Sequence, residues 1–267
     1  MLYKVLKSIK RRLFKFFKRL YFKLVPGTVA CNICGWVDNR FDSHVWHERT
    51  SCPNCFSQIR HRLFWTALSE IPKLHKNNIL KNKSILHFAP DHQLVEKIKN
   101  ETSSYTTADF FAEGYSYDKI DINLDISNMD AITDGKFDCL IAFDVLEHVK
   151  DHLKGIAETN RILVMGGYCI FTVPQKDHTD KTLEDLDLLD PKEREEKFGQ
   201  FDHWRIYGSD FQHMLEAKGF EVSVIDKDSF EQGLISRYVL HPPILSTHPL
   251  ATNYRKVYFG KKIAQSN

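Results

Sequence analysis

The sequence predicts an α/β protein in which a parallel sheet is covered by helices. Beyond Lys83, short apolar runs alternate with amphipathic segments of helical period, and this alternation is typical of parallel strands joined by crossover helices. The chain has 267 residues, of which 42% are hydrophobic and 27% charged. This length and composition are sufficient for one substantial core with small appendages.

The alternation also gives the order of the elements. Strands are predicted at 84–88, 105–108, 120–124, 137–143, 167–173 and 220–225, and helices at about 92–100, 148–163 and 209–218. The apolar segment 256–263 is expected to add an edge strand. An acidic segment, 175–200, follows a strand's carboxyl end, where ligand-covering elements lie. A solvated surface helix is the alternative for that segment.

Residues 1–27 are predicted to be a basic amphipathic helix ending at Pro26-Gly27. Residues 1–25 carry nine of the 37 Lys and Arg and no acidic residue. One helical stripe is apolar and comprises Leu2, Leu6, Ile9, Leu13, Phe16, Leu20 and Leu24. Such a helix suits an anionic membrane surface, where each cation adds roughly 1 kcal/mol. Docking on the protein's own body or on a partner, and RNA binding, are the alternatives.

The remainder of the chain is acidic. It has 28 basic and 35 acidic residues, a net charge of −7, which does not favour a broad surface for nucleic acid. No apolar run reaches the roughly 18 residues needed to span a bilayer. We therefore expect a cytoplasmic protein, peripheral at the inner face of the membrane through residues 1–25.

Residues 28–57 contain the most specific local pattern, C-x2-C-x17-C-x2-C. Its members are Cys31, Cys34, Cys52 and Cys55. Thiolates two residues apart can reach one ion, and two such turns complete a closed tetrahedral Zn²⁺ site, so a structural zinc ribbon is predicted. His44 and His47 are spare donors and are expected to be surface or packing residues. A helix within residues 58–82 is expected to link the ribbon to a main domain, residues 83–267.

The stretch "SILHFAPDHQ", residues 84–93, reads as a buried strand that breaks into a loop before a helix. This is where an α/β protein holds a cofactor. The loop lacks glycine, and glycine is what allows a backbone to approach a pyrophosphate closely. A dinucleotide is therefore not the expected ligand.

Three motifs, "FDCLIAFDVLEHVKD", "RILVMGGYCIFTVP" and "DFQHMLEAKGFEV", resemble the class I S-adenosylmethionine-dependent methyltransferases over roughly residues 83–262. The chain is more similar still to a bacterial subgroup with an amino-terminal zinc ribbon. The further motifs are "C-P-x-C" at 52–55, "R-H-R" at 60–62, "H-F-A-P" at 87–90 and "F-G-Q-x-D-H-x-R-x-Y-G" at 198–208. The resemblance implies a Rossmann-like sheet with helices on both faces.

The resemblance also implies which residues hold S-adenosylmethionine. They are His87, Ala89, Pro90 and Asp91 in the first loop, Asp109 at the ribose, Asp125 and Ile126 at the adenine, and Asp144 after the fourth strand. This cofactor has no phosphate and presents an amino acid tail, so glycine is needed less, and Asp91 or His87 can meet the charged ends. The alternative for Asp109 is an acidic residue of a surface loop without a binding role, and the alternative for Asp125 is an acidic residue that stabilises a turn. The short connection between Asp109 and Ile120 leaves little room for the usual helix.

The acceptor side of the site is also implied by the resemblance. His203 matches the segment that faces the acceptor and is the candidate general base, with Arg205 and Tyr207 as candidates to orient an anionic or hydroxylated substrate. In some relatives a cluster like Asp144, Glu147 and His148 binds a divalent ion that gathers substrate hydroxyls. Capping and packing roles are the alternatives.

The sequence leaves three functions to weigh. The first is methylation of a hydroxyl on a sugar or cell-surface glycan intermediate, motivated by the basic amphipathic start. The second is ribosomal RNA methylation, since zinc ribbons precede similar domains in some such enzymes, although the acidic main domain argues against it. The third is a non-catalytic binding module, for which the glycine-free loop is the evidence.

Overall fold

The computed structural model describes residues 2–111 and 120–266. The helices are α1 (Leu2–Leu24), α2 (Ile59–Glu70), α3 (Pro72–Lys76), α4 (His92–Glu101), α5 (His152–Ile162), α6 (Pro191–Phe198), α7 (Phe211–Glu216) and α8 (Gln232–Tyr238). The strands are β1 (Val29–Ala30), β2 (Val37–Asp38), β3 (Asp42–His44), β4 (His47–Ser51), β5 (Ser84–Phe88), β6 (Ser104–Asp109), β7 (Ile122–Asn123), β8 (Phe137–Phe143), β9 (Leu163–Thr172), β10 (Leu183–Glu184), β11 (Arg205–Ile206), β12 (Phe220–Ile225) and β13 (Val257–Lys262).

The central sheet has seven strands in the order β12-β13-β9-β8-β5-β6-β7. The strands from β9 to β7 are parallel to one another, and β13 is antiparallel to both of its neighbours. The predicted α/β fold with a helix-covered, mainly parallel sheet is confirmed. Parallel strands end at a common edge of the sheet, so the loops after β5, β6, β7 and β8 meet there.

The last strand, β13, is not the edge strand that the sequence predicted. It lies between β12 and β9, and its consecutive residues Val257, Tyr258 and Phe259 are all buried. Successive side chains of a strand point to opposite faces, so a run that is buried throughout needs cover on both faces. The continuous apolar pattern of this segment could have indicated an inner strand.

Two boundaries differ from the prediction by four residues, more than the others do. A short 3₁₀ helix, Leu146–His148, precedes α5, which begins only at His152 because the Asp151 side chain accepts a hydrogen bond from the Lys154 amide at 3.1 Å. Strand β9 begins at Leu163, earlier than predicted. It contains an irregularity in its pairing with β8 near Gly166, which has φ +78°.

The ribbon and the sheet share one hydrophobic cluster. Cys31, Trp36 and Phe41 of the ribbon belong to the same buried group as Phe64 of α2 and Phe143 of the sheet. A second cluster covers the opposite face of the sheet, centred on residues such as Leu140 and Phe171. The linker helix α2 is therefore a covering layer of the sheet as well as a connection.

The basic helix α1 contacts the ribbon through lysines. The Lys18 ammonium lies 2.6 Å from Asp38, and the Lys15 ammonium donates to the Asn54 carbonyl at 3.2 Å. Many of its apolar side chains are exposed, among them Leu6, Ile9, Leu13, Phe16, Leu20 and Leu24. In the part of the chain that the structure describes, no helix combines the length and apolar character that crossing a membrane requires.

Candidate cofactor and acceptor site

A cavity of about 820 Å³ lies at the carboxyl ends of the parallel strands. The volume lies within the usual range of about 300–1,000 Å³ for small-molecule sites. Five predicted cofactor residues line it, namely Ala89, Asp109, Asp125, Ile126 and Asp144. They come from four different loops, and the parallel topology brings those loops together.

Three other predicted cofactor residues, His87, Pro90 and Asp91, are not among the described residues that line this cavity. His87 is fully buried, with its Nδ1 2.8 Å from the Tyr105 hydroxyl, and burial lowers its pKa to about 4. Asp91 pairs with Arg60 and His61 of α2 at 3.4 and 3.1 Å. The first loop therefore presents Ala89 to the cavity and turns Asp91 toward the linker helix.

The glycine-free loop keeps a left-handed backbone. Ala89 has φ +42° after β5, and Asp144 has φ +52° after β8. Their amides are fixed by hydrogen bonds to the carbonyls of Ala108 and Thr172, at 2.8 and 2.9 Å. A left-handed non-glycine residue costs roughly 1–2 kcal/mol, and tertiary contacts hold both loops in that conformation. Alanine thus serves where glycine is the easier choice.

The two acids expected to bind the nucleoside differ in their surroundings. Asp109 is half-buried, and its Oδ1 accepts from the Phe110 amide at 2.8 Å, while burial raises its pKa. Asp125 closes a turn, because its Oδ1 accepts from both the amide and the hydroxyl of Ser127. The expected shortening of the helix after Asp109 falls on residues 112–119, outside the described residues.

A second cavity of about 360 Å³ adjoins the first and shares Asp144 and His148 with it. Its walls come from the ribbon, the linker helix, the segment at 198–206 and the chain near Arg255. The acidic segment 175–200 ends here, with Phe198 in this wall and Arg194 in the wall of the first cavity. His44 and His47, expected to be surface or packing residues, also line it.

His203 lies in the wall of this second cavity. Its Nδ1 is 3.1 Å from the Phe198 carbonyl, which can only accept, so Nδ1 carries the proton and Nε2 keeps a lone pair. Burial lowers the pKa of His203 to about 4. The imidazole is therefore neutral at physiological pH.

Glu147 and His148 lie beside His203, and one ligand atom from each of the three is within 4.8 Å of the others. Burial raises the pKa of Glu147 to about 8, and among the described residues its Oε2 has no hydrogen-bond partner. Burial opposes protonation of His148, but the hydrogen bond to Asp202 at 3.1 Å outweighs it and raises its pKa. The sequence pattern had paired Glu147 and His148 with Asp144 and had not included His203.

The expectation that Arg205 and Tyr207 orient the substrate is wrong. Arg205 is fully buried and donates to the carbonyls of Leu146 and Lys150, at 2.7 and 2.8 Å, and to Glu184 at 2.6 Å. The Tyr207 hydroxyl is buried against His152 Nδ1 at 3.0 Å. A buried guanidinium with several carbonyl partners braces the loop at 146–150, which carries Glu147 and His148 into the site.

The "R-H-R" triplet has functions that sequence reasoning did not assign. Arg60 and His61 turn toward the loop of Asp91. The fully buried Arg62 donates to the carbonyls of Thr50, Tyr238 and Val239, at 2.7, 2.7 and 3.0 Å. The triplet therefore ties the ribbon on one side to the cofactor loop on the other. The sequence feature that could have indicated this role is the position of the triplet between the cysteine motif at 52–55 and the "H-F-A-P" motif at 87–90.

The four ribbon cysteines converge on one point. Their ligand atoms lie within 4.8 Å of one another, and the Cys31–Cys55 and Cys34–Cys52 sulfur pairs are each 3.7 Å apart. A tetrahedral zinc site with Zn–S bonds of about 2.3 Å has edges of about 3.8 Å. The arrangement therefore fits a closed Zn²⁺ site.

Comparison with known proteins agrees with this geometry. A family profile described as a methyltransferase domain matches residues 60–224. A comparison with curated protein sequences found no match.

Solved structures with a similar fold include an S-adenosylmethionine-dependent methyltransferase from Mesorhizobium loti. It has a TM-score of 0.50 and 13% identity, covering 76% of this chain and 100% of that one. A Burkholderia thailandensis 1,6-didemethyltoxoflavin-N1-methyltransferase, solved with S-adenosylhomocysteine, has a TM-score of 0.45 and 11% identity, covering 77% and 88%. At these identities the likeness shows the fold alone. Because the profile spans more than half of the chain, the chain belongs to the methyltransferase domain family and is an S-adenosylmethionine-dependent methyltransferase.

Proposed function

We propose that the protein transfers a methyl group to a hydroxyl of a sugar or glycan intermediate. The observation that carries this proposal is the polar second cavity, which adjoins the cofactor cavity at Asp144 and His148 and holds the lone pair of His203 Nε2. A hydroxylated acceptor suits a wall rich in histidine, arginine and glutamine side chains. The resemblance to the ribbon-bearing bacterial subgroup supports the same proposal.

The cofactor cavity contains suitable partners for S-adenosylmethionine. Asp109 would accept hydrogen bonds from the ribose hydroxyls, and Asp125 with the Ile126 backbone would meet the adenine. When bound, the cofactor supplies a methyl group on an activated sulfonium. The work left to this chain is to align the acceptor, to exclude water and to take up the acceptor's proton.

His203 is the proposed proton acceptor. The Phe198 carbonyl fixes the tautomer that leaves Nε2 unprotonated, and His203 lines the cavity proposed for the acceptor. With the cofactor bound, the hydroxyl oxygen would take the methyl group as the carbon–sulfur bond breaks and the sulfur leaves as a neutral thioether, and the hydroxyl proton would pass to His203 Nε2. A positioned base contributes about 10²–10⁴-fold to a rate.

A divalent cation held by Glu147, His148 and His203 is the alternative way to activate the hydroxyl, favoured by the convergence of their ligand atoms. The two alternatives predict different responses to chelation. A base mechanism survives treatment with a chelator that leaves the ribbon zinc in place, whereas a cation mechanism loses activity and regains it with added Mg²⁺ or Mn²⁺.

The experiment uses radiolabelled S-adenosylmethionine and an extract that is freed of RNA but retains lipid-linked and nucleotide sugars. We expect label in the sugar fraction, and a fall of about 10²-fold or more with His203→Ala at unchanged cofactor affinity. His213→Ala is the control, because His213 is exposed on α7. Label appearing only in stripped ribosomal RNA would support the RNA alternative, and no label in any acceptor would support a binding module.

We also propose that the four ribbon cysteines hold a structural Zn²⁺. Their sulfur separations support this, and four thiolates leave no open coordination position for substrate. The ion would stabilise strands of only two to five residues.

Residues 1–25 are proposed to bind an anionic membrane surface. Lys15 and Lys18 hold α1 to the ribbon, while apolar side chains such as Phe16 and Leu20 stay exposed beside further cations. Full-length protein should sediment with vesicles of anionic lipid, and protein lacking residues 2–25 should not. Equal sedimentation of the two proteins would contradict this part of the proposal.

A further inference from the structure

Arg60 reaches two loops at the edge of the cofactor cavity from outside the sheet domain. It lies in the first turn of α2, and its guanidinium contacts carboxylates in two cofactor loops. Nη2 is 3.4 Å from Asp91 after β5, and Nη1 is 3.3 Å from Asp144 after β8. Asp144 lines both cavities, and Arg60 lines the second one. One cation of the linker helix therefore stands where the two loops meet.

The guanidinium keeps capacity for another anion. It has five N–H donors, and its partners among the described residues are Gln58, Asp91 and Asp144. The two carboxylate contacts are long compared with the usual 2.7–2.9 Å of a charge-assisted bond. In the described part of the chain, Arg60 Nε and Asp91 Oδ2 are also buried polar atoms without a hydrogen-bond partner. Such atoms call for a compensating ligand or water.

Two positions of the first loop offer no amide donor for an anion. The Ala89 amide donates to the Ala108 carbonyl at 2.8 Å, and Pro90 has no N–H. In a glycine-rich loop, free amides can meet a negatively charged ligand group. Here the cation that touches both loops is the available substitute.

The charges around the junction are balanced. Arg60 and Arg255 face Asp91 and Asp144, which gives two cations and two carboxylates. A ligand with a net charge would leave one charge uncompensated in a partly buried site, which is costly. A zwitterionic amino acid tail adds no net charge, and its two ends match the two kinds of group present.

We propose that Arg60 binds the α-carboxylate of the amino acid tail of S-adenosylmethionine, with Asp91 and Asp144 facing the α-ammonium group. The linker helix thus completes the cofactor site. Because Arg62, two residues on, is bonded to the ribbon carbonyl of Thr50, the ribbon's integrity bears on cofactor affinity.

The test compares two ligands that share adenosine and a thioether. S-adenosylhomocysteine has the amino acid tail, and 5′-methylthioadenosine does not. Calorimetry of Arg60→Met should show S-adenosylhomocysteine binding weakened about 10- to 100-fold, as expected for a lost charge-assisted pair, with 5′-methylthioadenosine binding unchanged. Equal weakening of both ligands, or no weakening in folded protein, would overturn the proposal.

Arg40→Met is the control, because Arg40 is an exposed arginine of the ribbon that lines neither cavity. It should change S-adenosylhomocysteine affinity by less than about threefold, and a loss equal to that of Arg60→Met would contradict the assignment. If Arg60→Met fails to fold by thermal unfolding, Arg60→Lys replaces it. Lysine keeps the charge but not the planar fork, so it should weaken S-adenosylhomocysteine alone by about three- to tenfold, and wild-type affinity for it would overturn the proposal.

Discussion

The ribbon and the sheet domain are held together by different kinds of interaction. The ribbon's strands have two to five residues, and its four cysteines converge on a single point. The sheet has strands of up to ten residues, and hydrophobic clusters cover both of its faces. We therefore expect each of the four ribbon cysteines to be essential to the ribbon, whereas the sheet domain has an alanine with a left-handed backbone in its first loop. A small unit depends on a few specific metal-binding side chains, whereas a large unit depends on apolar surface buried across many residues.

The largest expected effect is on the ribbon. Cys52→Ser should abolish zinc binding, because apparent binding free energies of structural zinc are about 10–16 kcal/mol and depend on all four ligands. Elemental analysis gives the stoichiometry, and hydrogen exchange should show residues 28–57 opening while β8 stays protected.

Cys139→Ala provides the control for that change. It removes a buried thiol from the sheet instead, and it should keep one zinc per chain. Full zinc retention by Cys52→Ser would contradict the proposed site.

The second prediction concerns the cofactor cavity. Asp109→Ala should weaken S-adenosylhomocysteine binding by about 10- to 100-fold, since hydrogen bonds to a charged group contribute about 1.5–3 kcal/mol each. Calorimetry measures the loss. Asp134→Ala, which removes an exposed acid paired with Arg161, is the control. An unchanged affinity in Asp109→Ala would show that the ribose lies elsewhere.

The third prediction tests how the sheet domain responds to acid. Burial lowers the pKa of His152 to about 4, below its usual value near 6.5. The unfolded chain therefore takes up the proton first, so this contribution to stability is present above pH 6.5 and is lost as the pH falls toward 4. Urea unfolding should show a loss of about 2 kcal/mol from this group between pH 7.5 and pH 5.

His152→Gln isolates the contribution, because acid would also protonate the ribbon cysteines and release a zinc ion bound there. The variant should lose less stability than the wild type over the same interval. Identical pH profiles for the two proteins would contradict the assignment to His152.

The smallest effect tests the backbone of the first loop. Ala89→Gly should stabilise the protein by about 0.5–1 kcal/mol, since relief of a left-handed alanine exceeds the entropy that glycine adds to the unfolded chain. Ala108→Gly, at the strand residue whose carbonyl accepts the Ala89 amide, should destabilise instead. Denaturant unfolding compares them, and destabilisation by Ala89→Gly would mean that the loop is not strained.

The sequence predicted what depends on local pattern. The cysteine spacing predicted the convergence of the four ribbon cysteines, and the alternation predicted β8 and β12 with their observed bounds. Strand ends then brought Ala89, Asp109, Asp125 and Asp144 to one cavity. Each of these features depends on residues that are close together in the sequence.

What the sequence did not predict depends on contacts between distant residues. The inner position of β13 is set by partners far away in sequence. Nothing local to "F-D-H-W-R-I-Y-G" distinguishes Arg205, which braces a loop, from His203, which faces a cavity. Arg60 likewise reaches Asp144 across 84 positions of chain. Burial and partner identity, not residue type, decide these roles.

We infer that this fold binds S-adenosylmethionine through the cavity at the strand ends. The most direct measurement is titration calorimetry of full-length, zinc-loaded protein with S-adenosylhomocysteine. We predict one site per chain with micromolar affinity, about −7 to −8 kcal/mol. The titration is repeated at temperatures between roughly 10 and 30 °C, because a binding enthalpy that is zero at one temperature becomes measurable at another through the heat-capacity change of binding. No binding heat at any of these temperatures would contradict this inference.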